Sequence, residues 1–153
     1  MSVAGRARVV ELVAGATLDP VHPALVHVGS GPQAPLDQQV GQTRLYELVD
    51  DAAAEGSHVA PLTMCDTPLW QEGWRLRVRY ETAGPFAHGD TRAQIAADMR
   101  AITKALRVAS AWAAVLEHLQ VGHQQYTVED VSGPEGEPLA LIAELPLRAR
   151  FYE

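Results

Sequence analysis

Apolar and polar residues alternate without a break along Trp74-Arg75-Leu76-Arg77-Val78-Arg79-Tyr80-Glu81. Successive side chains on a strand point to opposite faces, so Trp74, Leu76, Val78 and Tyr80 share one face and the three arginines share the other. The end of the chain repeats the pattern over a longer stretch. Leu139, Leu141, Ala143, Leu145, Leu147, Ala149 and Phe151 form an apolar row, with Arg148 and Arg150 between its last members. This alternation predicts two half-buried strands of an antiparallel sheet.

Elsewhere the pattern is mixed. Residues 3–14 read as an opening helix and Ala24 to Val28 as a short buried strand. Residues 29–42, rich in Gly, Pro and Gln, read as a loop. Leu45, Leu48, Val49, Ala52 and Ala53 recur at helical spacing, which predicts a helix over 43–54 ended by Gly56. Val59 to Met64 reads as an edge strand because of Pro61. After a loop over 82–90, a helix opens on a capping box, Thr91-x-x-Gln94, with Ile95, Met99, Ile102 and Leu106 as its inner stripe. A second stripe, Trp112, Val115, Leu116 and Leu119, lies a quarter turn or more around from the first. The offset predicts a break near 109–111 with Ser110 as cap, and Gly122 as the final C-cap. Gln124 to Val131 reads as a strand and 132–138 as a loop before the closing strand. The fold class is α+β: one domain over 1–153, a mostly antiparallel sheet with helices on one face.

Composition narrows the class. The chain has 153 residues, enough for one domain, and 47% are apolar, enough for a core. A single cysteine, Cys65, excludes an internal disulfide and a Cys-based zinc site. The net charge of −7 argues against binding nucleic acid over the whole surface. Of twelve basic residues only Lys104 is not arginine, which reads as coding bias. The N-terminus reads without a signal peptide, and no stretch approaches the ~20 apolar residues that span a membrane.

Candidate chemistry is thin. Gly29-Ser30-Gly31-Pro32-Gln33-Ala34 matches the dinucleotide pattern G-x-G-x-x-A, and Asp50 follows about twenty residues on. The mechanism needs a helix to open there, and Pro32 and Pro35 oppose it, so a plain loop is the stronger reading. The histidines, His22, His27, His58, His88, His118 and His123, lack metal-ligand spacing. Cys65 lacks a motif-paired base, and Trp70, Trp74 and Trp112 read as core. This predicts no catalytic residue, no metal and no cofactor. Arg75, Arg77, Arg79, Arg148 and Arg150 remain, as a phosphate- or nucleic-acid-binding patch if their strands are neighbours, as a solvated face with partners such as Glu81 and Glu144, or as a subunit interface, with the solvated face first and the interface second.

Three stretches carry a family resemblance. They are Pro23 to Val28, then Leu76 to Glu81 followed by Thr91 to Leu106, and Glu144 to Tyr152. In their order the chain resembles the tail terminator (tail completion) proteins of long-tailed bacteriophages. The resemblance covers about two thirds of the chain as an order of elements; 43–54 and 107–120 lie outside it. It implies a non-enzymatic virion protein, assembled in the host cytoplasm into a homo-oligomeric, hexameric ring at the head-proximal end of the tail. The ring would stop polymerisation of the tail tube protein and dock to a neck or connector protein. DNA would pass through the ring without sequence-specific contacts, and no membrane would be involved. The alternatives are a head–tail connector or other minor virion protein, and a small cytoplasmic α+β enzyme or ligand-binding oligomer.

Overall fold

The computed structural model describes residues 3–16, 26–27, 44–51, 69–82, 90–122 and 126–152. In chain order they form α1 (Val3–Ala14), β1 (Val26–His27), β2 (Arg44–Asp50), β3 (Leu69–Glu81), α2 (Thr91–Leu106), α3 (Ala109–Trp112), β4 (His118–Val121), β5 (Thr127–Ser132) and β6 (Pro138–Tyr152). The strands make one sheet in the order β1-β2-β3-β6-β4, with β5 also on β6. All pairings are antiparallel except the short parallel one between β1 and β2.

The two arginine strands are the centre of this sheet. β3 and β6 run side by side from Leu69 opposite Tyr152 to Glu81 opposite Ala140. The inward faces agree with the alternation: Trp74, Leu76, Val78 and Tyr80 meet Leu147, Leu145, Ala143 and Leu141, and all are buried. Val9 and Val13 of α1, Ile95, Met99, Ile102 and Leu106 of α2, and Trp112 of α3 complete one core on that face. Burying each such side chain is worth about 1.5–3 kcal/mol, so this single helix-covered face is the main stabilising feature of the fold.

The far edge of β6 is shared end to end. β5 pairs with residues 138–144 and β4 with 147–150, so Pro146 falls at the seam. Gly122 donates its N–H to the Pro146 carbonyl at 3.0 Å. A strand residue's N–H and C=O point the same way, so the missing proline donor falls where neither strand needs it. A Cβ on Gly122 would stand 2.8 Å from Pro146 Cγ, so this close crossing requires glycine.

Several expectations are corrected. Residues 44–50 form strand β2 rather than a helix. Each of its residues pairs with β3, and a seven-residue ladder outweighs a short helical stripe even though Leu and Ala are good helix formers. Asp50 and Asp51 therefore end a strand. Asp90, not Thr91, caps α2, accepting a hydrogen bond from Ala93 N at 3.0 Å, and Ser110 caps nothing. The break before Trp112 exists but comes at Arg107–Val108, where Val108 turns extended. Trp112 Nε1 donates to the Leu106 carbonyl at 2.9 Å, which occupies an acceptor the helix would otherwise have used. The second stripe continues through a turn into strand β4, so Gly122 follows a strand, not a helix. The loop expected over 29–42, all but the two ends of the loop expected over 82–90, and the strand expected at 59–64 lie outside the described residues.

Candidate interaction surfaces

The outer face of the sheet holds the predicted arginines, and the register divides them into two groups. Glu47 stands opposite Arg77 across β2–β3, and Arg77 stands opposite Glu144 across β3–β6. Arg77 bonds both carboxylates, each at 2.9 Å. Arg75 reaches Glu144 at 3.1 Å and places its Nε 3.3 Å from Asp51, a charge contact without hydrogen-bond alignment. Arg79 bonds Glu81 at 2.8 Å. Three guanidiniums thus meet four carboxylates, and this part of the face carries no net positive charge. Arg79 is only 2% exposed, which corrects the picture of a uniformly solvated row. Its cross-strand neighbours are the buried, apolar Leu45 and Ile142, so its stem is enclosed on both sides. The partly exposed pairs are screened and worth about 0–1 kcal/mol each, so they fix strand register more than they stabilise.

Arg148 and Arg150 lie beyond this ladder. Arg148 is exposed, faces Gly73 and Gln120 on its neighbouring strands, and makes no ion pair among the described residues. Arg150 is exposed between Gln71 and His118 and, among the described residues, bonds only the neutral Gln71, at 3.0 Å. Tyr152, 53% exposed, closes the same row. Among the described residues, the cations of this face without an ion pair are therefore at the β4 end. Sequence reasoning missed Glu47 and Asp51 because 43–54 read as a helix.

On the other face, α2 is pinned by a buried polar cluster. Asp98 receives both a 3.0 Å hydrogen bond from the Tyr80 hydroxyl and two 3.3 Å contacts from Arg44. Burial, then the Asp98 charge and its hydrogen bond, push the Tyr80 hydroxyl well above its ordinary value of 10.0. Tyr80 is thus held as a neutral donor, a lock rather than a base. Because its folded-state value is raised, its contribution is complete below pH 10 and is lost as pH rises further. Stability should fall by about 1.4 kcal/mol per pH unit per such group above pH ~10. Urea unfolding from pH 8 to 11 checks this, and Tyr80→Phe should flatten the slope by one proton.

One turn before Asp98, Gln94 is buried with neither amide atom hydrogen bonded among the described residues. A buried unsatisfied amide costs about 1–3 kcal/mol, so Gln94→Met should stabilise the protein by roughly 1–2 kcal/mol in urea unfolding. Unchanged or lowered stability would show the amide to be satisfied in solution.

The exposed flank of α2 borders a groove of about 620 Å³. Met99, Leu145 and Tyr126 give it an apolar floor, and Arg100, Lys104 and Arg107 line it with cations. The spacing 100, 104, 107 puts all three on one helix face, a stripe legible in the sequence but not singled out there.

The other sequence candidates are dispersed. Residues 29–34 of the glycine pattern, Cys65, and His22, His58, His88 and His123 lie outside the described residues. Asp50 is bonded to Arg6 of α1, and His118 stands edge-on to Trp112 with ring centres 6.4 Å apart. Among the described residues no group of three His, Cys, Asp or Glu side chains could hold a metal ion, and no helix is long and apolar enough to cross a membrane. Among known proteins, no family model matches the chain and no curated sequence matches it.

Proposed function

We propose that this protein is a phage tail assembly subunit of the tail-terminator kind, a ring-forming protein that ends the tail tube at its head-proximal end. One observation carries the reading. The strand-then-helix and the closing strand, on which the resemblance rests, are neighbours: β3 and β6 zip along their full length, and α2 packs on their shared apolar face. The outer face supports a binding role as well. Arg75, Arg77 and Arg79 are neutralised within the subunit, while Arg148 and Arg150 remain available to an acidic partner. Arg148 and Arg150 are accordingly the arginines of this face open to a tail tube or neck partner, with the three-arginine ladder holding the sheet in register behind them. The test is polymerisation of the tail tube protein from the same phage. Added protein should cap one end of the tubes and limit their length in negative-stain images; tubes of equal length with and without it overturn the reading.

The groove beside α2 favours a second reading, a ligand-binding oligomer. A volume of about 620 Å³ lies within the ~300–1,000 Å³ of small-molecule sites. Release of a stoichiometric small anion from the denatured, purified protein would support that reading over the first.

A further inference from the structure

We infer that the groove beside α2 receives the β5–β6 hairpin of a second copy of this chain. The groove offers Arg100 and Lys104 over an apolar floor, with Arg107 beside them; Arg100 and Lys104 are both exposed and make no ion pair among the described residues. The hairpin offers the complementary charge. Glu129, Glu135 and Glu137 are all exposed on β5 and its turn. The turn is ordered: Gly136 adopts a φ of +81°, Gly136 N bonds the Gly133 carbonyl at 3.0 Å, and Glu135 N bonds the Glu137 carboxylate at 3.0 Å. A formed acidic turn loses little conformational entropy when it docks.

α2 and β5 already touch within one molecule, where Arg92 lies 3.9 Å from Asp130, but the acidic turn does not reach the groove of its own molecule. Tyr126 of the groove immediately precedes β5, and the turn follows it, so the six-residue strand holds them about 20 Å apart. The contact is therefore made between copies, from the turn of one to the groove of the next. Such a heterologous contact closes into a ring when the rotation between copies permits. It also accounts for a feature of the charge distribution. A chain with a net charge of −7 keeps Arg100, Lys104 and Arg107 together on one helix face, bordering the groove.

The inference rests on the homo-oligomeric part of the reading above, and the two fail differently. Protein that stays monomeric yet arrests tail tubes overturns the groove contact alone. Protein that assembles through the groove without arresting tubes overturns the tail reading alone. The experiment uses two variants of the full chain: Arg100→Glu with Lys104→Glu, and Glu129→Lys with Glu135→Lys. All four positions are exposed, and far-UV circular dichroism confirms that both variants fold. Each variant alone sets like charges against each other and should weaken self-association at least about tenfold by sedimentation. Mixed in equal amounts, they pair acid with base at every contact, and assembly should return. A wild type that is monomeric at high concentration, a variant that assembles normally, or a mixture that fails to recover overturns the inference.

Discussion

Replacing Asp98 with alanine is expected to cost about 3–5 kcal/mol of folding stability, the usual result of removing one partner from a buried ion pair. The side chains of Asp98 and Arg44 are only 2% and 1% exposed. The substitution takes away both Arg44 contacts and also the acceptor of the Tyr80 hydroxyl. The cluster joins β2 and β3 to α2, so its loss loosens the helix from the sheet. The mechanism is tested by a compensated variant. Arg44→Met, Asp98→Leu and Tyr80→Phe together remove the buried charge pair and the Tyr80 hydroxyl, and apolar replacement of a buried pair is often neutral or stabilising. That triple variant should recover most of the loss in urea unfolding. A single Asp98→Ala variant within 1 kcal/mol of wild type would show that water reaches the site.

Trp74→Ala should cost a similar amount, about 3–5 kcal/mol, for a different reason. Trp74 is fully buried at the centre of the main core. Its Nε1 donates to Glu72 at 2.9 Å, and the Arg6 guanidinium lies 5.8 Å from the ring centre. Arg6 also bonds Asp50 and, at 2.8 Å, the Leu48 carbonyl. The indole is thus the surface on which α1 is fastened to the end of β2. Trp74→Phe keeps most of the area and the ring face, and should lose clearly less than alanine. Equal losses for the two variants in chemical denaturation would assign the effect to the Glu72 hydrogen bond instead of the buried area.

What was legible in the sequence was whatever has a strict local period. The alternation in 74–81 and 139–151 named the inward and outward residues of both central strands correctly, because a one-residue slip would have exposed the entire apolar row. The stripe Ile95, Met99, Ile102, Leu106 named the buried face of α2, and the offset at Trp112 named the break. These are properties of neighbours along the chain. The identity of β2 was not of this kind. Leu45, Leu48 and Val49 fit a helix locally, and only the neighbouring β3 makes them a strand. Once β2 is a strand, Glu47 and Asp51 come up against Arg77 and Arg75, and an apparent basic patch becomes a neutral ladder. The sequence by itself determined which way the two central strands, β3 and β6, face. Tertiary structure alone decided which charges remain unpaired, because that depends on residues such as Glu47, Arg77 and Glu144, far apart in the chain and adjacent only across the ladder.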